Sequence, residues 1–236
     1  MAMSRFYGIG VGPGDSSLLT LKAVEALKGL DVLVTPKGKK GGQSLALQVV
    51  EEHLASATEI LERHFPMTAD HGEMEEAWQR ISAEIVAIVR QGKTVGFVTL
   101  GDPMLYSTYI YLLRRVSPQI PVTTIPGITS FQGIASSRNL PLVEGDETLA
   151  VVPSSRSRDE LREALVRHDS VVLMKVYRHF DKVLAVLDEL SLKGSAIMVC
   201  DLGMPGEQVV HDLGAVDPAN LSYFSTIIVN KGWAKS

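Results

Sequence analysis

A chain of 236 residues can bury one large core or two smaller ones, and 45% hydrophobic with 21% charged residues is the balance of an ordinary globular protein. A formal net charge of −4 argues against a general nucleic-acid surface, which needs a basic field to displace counterions, although a local basic pocket remains open. Cys200 stands alone, which excludes a disulfide framework and a Cys-rich zinc site, and no apolar run approaches the roughly 20 residues of a membrane span.

The opening Met1-Ala-Met-Ser-Arg5 leads directly into an apolar run at 6–11 that ends in glycines and predicts a buried strand. It lacks the anatomy of a signal peptide, so a cytoplasmic location and no membrane partner are expected. Leu18, Leu19, Leu21, Val24 and Leu27 recur at helical spacing, with Asp15, Ser16 and Ser17 available to cap the start. A second strand at 31–35 is stopped by Pro36. The flexible basic loop Lys37-Gly-Lys-Lys-Gly-Gly42 follows, and then a helix over 44–52. Ile81, Ile85, Ile88 and Val89 mark a helix ending at Gly92. Strands at 95–100 and 122–125 each pass through a turn, Gly101-Asp-Pro103 and Pro126-Gly127, into helices around 107–116 and from about 130. Strand and helix in alternation are the mark of parallel α/β units.

Asn139-Leu-Pro141 reads as a joint between an N-terminal α/β domain, 1–140, and a C-terminal α/β domain, 141–236. Beyond it the pattern resumes with strands at 149–152, 171–175 and 196–200 and helices at 159–166 and 180–190. Segments 208–213 and 225–230 read as strands with no helix between them. The expected architecture is therefore an open, mostly parallel sheet followed by a smaller mixed sheet.

Gly8-Ile-Gly10-Val-Gly12-Pro-Gly14-Asp15 stands where a dinucleotide-binding enzyme carries its fingerprint, but neither register fits. Counting from Gly8 and Gly10, the required third glycine is Pro13; counting from Gly10 and Gly12, it is Asp15. An aspartate there repels a pyrophosphate, and the acidic residue that should close the second strand is missing, since Asp31 opens it. Gly92-Lys93-Thr94 fails as a phosphate loop, with Ala87 where the first glycine belongs. The plainer reading is a tight strand-to-helix turn with permissive glycines and one φ fixed by Pro13.

Three turns taken together say more than one. Gly10-Val-Gly12-Pro-Gly14-Asp15, Leu100-Gly101-Asp102-Pro103 and Pro126-Gly127-Ile128-Thr129-Ser130 each follow the carboxyl end of a strand, where open α/β sheets place their ligands. In this order they resemble the tetrapyrrole methylases, over essentially the whole chain, including Met174 and the closing Thr226-Ile-Ile-Val229. The opening residues 6–15, Leu19-Thr-Leu-Lys-Ala-Val24, residues 31–36, Gln43-Ser-Leu-Ala46, Phe65-Pro-Met67 and Trp78 are similar to the branch acting on carbon-20 of precorrin-2.

The resemblance implies an S-adenosylmethionine-dependent methyltransferase with its active site in a cleft between the two domains. It implies that the methyl donor is held by Pro13, Leu100, Gly101, Asp102, Leu105, Thr129, Ser130, Met174 and Gly203, with Met104, Tyr106 and Thr226 as neighbours. The substrate it implies is a tetrapyrrole, precorrin-2 or cobalt-sirohydrochlorin, and the assembly a homodimer. Asp15, Asp102 and Tyr106 are candidate proton acceptors by position, although Asp102 has the alternative of capping the helix after Pro103. Lys37, Lys39 and Lys40 are candidate ligands for substrate carboxylates on an otherwise acidic chain, a solvated loop being the alternative. No resident metal is expected, because no histidine pair has zinc-ligand spacing; cobalt would arrive with the substrate. Trp78 and Trp233 are expected to serve packing. Other tetrapyrrole methylases, methyltransferases of RNA or protein, a nicotinamide-dependent oxidoreductase and a non-catalytic binding module remain as competing readings.

Overall fold

The computed structural model describes residues 4–37, 44–65 and 71–233. The chain forms two compact units, Met1–Thr129 and Ser130–Ser236. The joint expected at Asn139-Leu-Pro141 falls after the first helix of the second unit.

In the first unit, β1 (Phe6–Gly10), β2 (Val32–Pro36), β3 (Glu59–Arg63), β4 (Val95–Thr99) and β5 (Val122–Ile125) form a wholly parallel sheet in the order β3-β2-β4-β1-β5. The alternation of side chains along these strands divides the core in two. Phe6, Val32, Val34, Val95 and Phe97 face one side, against α3 (His71–Arg90) and α4 (Tyr109–Val116). Ile9, Leu33 and Val98 face the other, against α1 (Leu21–Lys28) and α2 (Leu45–Val50). Each such side chain, once buried, contributes about 1.5–3 kcal/mol of transfer free energy. Trp78 belongs to this core, 4% exposed, its ring centroid 4.9 Å from that of Phe65.

β3 has no counterpart in the sequence reading. Its Glu-Ile-Leu-Glu-Arg is charged at 59, 62 and 63, with no strand-like alternation, and lies at a sheet edge. The helix expected to start beside Leu18 also differs. Asp15 caps a short 3-10 turn, Ser16–Leu18, and α1 begins only at Leu21 with Thr20 accepting from the Ala23 amide at 3.1 Å.

The second unit carries the mixed sheet. β6 (Leu149–Pro153) and β7 (Ser170–Met174) are parallel, while β10 (Ser225–Asn230) is antiparallel to β7 and β8 (Ala196–Cys200), and β8 to β9 (Gln208–Val210). The order is β6-β7-β10-β8-β9. Leu173, Met198 and Ile227 pack with Leu161 and Leu165 of α6 (Arg158–Arg167) and Phe180, Val183 and Leu187 of α7 (Phe180–Glu189). α5 (Ser130–Arg138) packs against β10 of the same unit. Trp233 donates its indole N–H to the Pro141 carbonyl at 3.0 Å, a fastening role.

Candidate functional site

The sheet order of the first unit explains why turns far apart in sequence meet. β1 lies between β4 and β5, all three parallel, so their carboxyl ends stand side by side. The turn after β1 is laced to the turn after β4: Gly101 donates its amide to the Gly12 carbonyl at 2.7 Å, and Gly12 returns the bond to the Gly101 carbonyl at 3.4 Å. Both glycines hold left-handed backbone, φ 74° and 68°, a region that disfavours side chains. The turn after β4 is in turn tied to the turn after β5 by Asp102. One carboxylate oxygen accepts from the Met104 amide at 2.8 Å, the other from the Gly127 amide at 3.1 Å.

Gly10 and Gly127 have a different task from the one the sequence suggests. A Cβ on Gly10 would lie 2.5 Å from the Gly127 nitrogen and 2.7 Å from the Gly101 oxygen. A Cβ on Gly127 would lie 2.2 Å from that same oxygen. These glycines let three backbones stack on one another; the permissive surface they create is interior to the cluster.

Around this cluster the expected side chains are disposed as follows. Pro13 is buried beneath the first turn, and Leu100, Gly101 and Leu105 are partly covered. Met104 and Tyr106 are 54% and 42% exposed, an apolar and an aromatic surface presented by a loop, with Tyr106 at φ 50°. The loop is returned to α4 through Ser107, whose hydroxyl bonds the Thr99 hydroxyl at 3.0 Å and accepts from the Tyr109 amide at 3.1 Å. Asp15 is exposed and accepts from the Ser17 amide at 2.8 Å. Asp102 does not cap a helix directly after Pro103, since α4 starts at Tyr109; it acts as the clamp just described. Lys37 is exposed just past β2, its amide donating to the Arg63 carbonyl at 2.8 Å on the same edge of the sheet as the turns. Lys39 and Lys40 lie outside the described residues.

Thr129 ends the first unit, in the turn after β5; the remaining expected residues belong to the second unit, near the edge where β7 and β8 end and β10 begins. Met174 closes β7, and its carbonyl accepts from the Ser154 amide at 2.7 Å. Thr226, 5% exposed, lies next to the Ile227–Leu173 pair, and its hydroxyl stands 3.3 Å from that of Ser130 at the start of α5. Gly203, at φ 72°, follows β8 and donates its amide to one Glu207 oxygen at 2.8 Å. The other Glu207 oxygen pairs with the Arg138 guanidinium of α5. Glu207 and Arg138 are 69 residues apart, and no local pattern in the sequence announces the pair.

The turn after β1 presents no α-helix N-terminus to a pyrophosphate, because α1 starts at Leu21. Among the described residues, no group of three or more His, Cys, Asp or Glu is placed to hold a metal ion, and no helix is long and apolar enough to cross a membrane.

A parallel α/β unit with its three turns locked at one edge, followed by a mixed-sheet unit, defines a two-unit α/β class of protein. The family model of the tetrapyrrole (corrin/porphyrin) methylases matches residues 5–216, and the chain belongs to this family. It is 44% identical over 230 residues, 97% of each chain, to the cobalt-precorrin-2 C(20)-methyltransferase of Salmonella typhimurium strain LT2. It is 34% identical to the precorrin-2 C(20)-methyltransferase of a Sinorhizobium species, over 99% of this chain and 97% of that one. Among solved structures, a uroporphyrin-III C-methyltransferase from Thermus thermophilus complexed with S-adenosyl homocysteine has the same fold, with TM-score 0.71 at 21% identity over 99% of this chain and 100% of that one.

Proposed function

We propose that the chain is an S-adenosylmethionine-dependent C-methyltransferase acting at carbon-20 of precorrin-2 or its cobalt form, in corrin-ring synthesis. The observation that carries this reading is the Gly12–Gly101 and Asp102–Gly127 lacing, which turns three separate motifs into one rigid edge, in a chain 44% identical to a relative bearing that activity.

On this reading Pro13, Leu100, Gly101, Asp102, Met104, Leu105, Tyr106, Thr129, Ser130, Met174, Gly203 and Thr226 serve the methyl donor. S-adenosylmethionine supplies an activated methyl group for in-line displacement by a ring carbon. The chain's contribution is then placement and exclusion of water, and alignment at near-attack distance lowers the barrier by roughly 7–11 kcal/mol. Asp102 has both oxygens engaged by amides, so we assign it a positioning role. The carbon-20 proton then passes to Asp15, Tyr106 or solvent. Lys37, Lys39 and Lys40 serve substrate carboxylates, a supply of cations that a chain of net charge −4 must concentrate locally. The working form on this reading is a cytoplasmic homodimer, which sedimentation measures directly.

The test is direct. Purified protein is mixed with radiolabelled S-adenosylmethionine and sirohydrochlorin, with and without cobalt, and the product is weighed. A trimethylated tetrapyrrole is expected; binding of both ligands without product would leave only a carrier role.

A further inference from the structure

The edge of the second sheet that holds Met174 also carries side chains that methyl-donor binding leaves unused. Tyr177 lies on the 3-10 turn Val176–Arg178 directly beyond β7, and Tyr223 lies just ahead of β10. Because β7 and β10 are antiparallel neighbours, the end of one and the start of the other share this edge. The two rings meet there with centroids 6.4 Å apart at 61°, and Phe224 packs edge-on against Tyr223 at 5.1 Å. Tyr177 and Tyr223 are nevertheless 40% and 46% exposed. Two tilted aromatic rings are thus partly open to solvent, with a third ring packed against Tyr223.

The segment that presents Tyr223 is fixed from both sides. The Ser222 hydroxyl donates to Asp201 at 2.6 Å, the Ser222 carbonyl accepts from the Ser225 hydroxyl at 2.6 Å, and the Phe224 amide donates to the Ser222 hydroxyl at 3.2 Å. Tyr177 is flanked by exposed Lys175 and Arg178. Lys175 holds φ 60°, a left-handed conformation that a non-glycine residue rarely adopts and that sets where the following turn is aimed. Lys182 and Arg178 add positive charge beside His179, whose imidazole is held below its ordinary range first by burial and then by these two cations. Exposed rings flanked by cations match one ligand chemistry in particular, a flat conjugated macrocycle with carboxylates on its rim.

We propose that Tyr177 and Tyr223 form the aromatic contact for the tetrapyrrole, one ring against its face and the other, inclined to the first, against its rim, and that Lys175 and Arg178 hold its rim carboxylates. The inference rests on the methyltransferase reading for the identity of the substrate and adds the surface that selects it.

The experiment compares wild type with Tyr177→Ala/Tyr223→Ala, Tyr177→Phe/Tyr223→Phe and Lys175→Ala/Arg178→Ala. Cobalt-sirohydrochlorin binding is read by fluorescence quenching, S-adenosylhomocysteine binding by calorimetry, and mass by sedimentation. The alanine pair at the tyrosines should weaken tetrapyrrole binding about tenfold or more, the scale of lost stacking on one or two rings. The phenylalanine pair should stay near wild type, and loss of the two cations should weaken binding and flatten its salt dependence. S-adenosylhomocysteine affinity should hold in all three, which also certifies folding. Should the alanine pair at the tyrosines misfold, the cation pair alone decides. Wild-type tetrapyrrole affinity in a folded alanine variant, or a change in sedimentation with binding intact, overturns the proposal and makes the patch a contact between protein chains. A wild-type protein that binds the tetrapyrrole here yet transfers no methyl group would instead sink the enzymatic reading and spare this one.

Discussion

Asp102 joins the Gly127 amide at 3.1 Å across 25 residues of sequence, and its second oxygen holds Met104. A carboxylate bound in this way is a strut. Asp102→Ala leaves two amides without their acceptor and should raise the S-adenosylhomocysteine dissociation constant about tenfold or more, with a lower Tm. Asp102→Asn keeps one acceptor oxygen and should fall between. If Asp102→Asn instead bound S-adenosylhomocysteine at wild-type strength while kcat vanished, a proton-transfer role would replace the strut.

Gly127→Ala tests the stacking of the turns. The new methyl would meet the Gly101 oxygen at 2.2 Å, backbone that cannot rotate away, so a loss of about 1–3 kcal/mol or more is expected together with methyl-donor binding. Gly194→Ala is the control. Its backbone is not left-handed and nothing lies within 4 Å of the added carbon, so little loss is expected. Chemical denaturation separates the two, and equal losses would refute the close-approach argument.

Glu207 offers a third test, of Gly203. Removing it in Glu207→Ala frees both the Gly203 amide and the Arg138 guanidinium. The expected result is a several-fold higher KM for S-adenosylmethionine with kcat nearly unchanged, partly restored in Glu207→Gln. A fall in kcat at constant KM would contradict a positioning role.

The Arg63–Glu84 pair predicts a pH dependence. Arg63 Nε donates to one Glu84 oxygen at 2.7 Å and Nη2 to the other, and first these hydrogen bonds, then the charge of Arg63, hold the Glu84 carboxyl below its usual range. A carboxyl depressed on folding stabilises the protein fully above the ordinary glutamate value, about 4.3, and the contribution fades as pH falls through the lower folded value. Both side chains are about one-third exposed, so the effect stays within about 1 kcal/mol. Wild type should lose more Tm than Glu84→Gln between pH 6 and pH 3 (values chosen to bracket roughly 4.3); parallel curves would assign the acid sensitivity elsewhere.

Much of this molecule is legible in its sequence, for physical reasons that also mark where reading stops. Strands buried on both faces, such as Val95–Thr99 and Ala196–Cys200, announce themselves as unbroken apolar runs. Edge strand Glu59–Arg63 does not, because three of its five residues are exposed and none is fully buried. The three turns are visible as glycine, proline and aspartate at strand ends, and the expectation that they meet is met by the Gly12–Gly101 bridge. Invisible in advance was the division of labour within them. Gly10 and Gly127 serve each other's backbones, and Asp102 serves Gly127, because spatial partners 25 or more residues apart leave no periodic trace. Arg138 with Glu207 is the same case at longer range.

The central place of β1 has a bearing on how the protein comes into being. β1 has both of its sheet neighbours, β4 and β5, in residues 95–125, so it waits unpaired while most of the unit is made. Long-range pairing of this kind is slow and leaves an apolar segment without a mate in the interim. Ligand capture should therefore switch on late and all at once during synthesis, and a nascent chain arrested before residue 122 should be a client for chaperones.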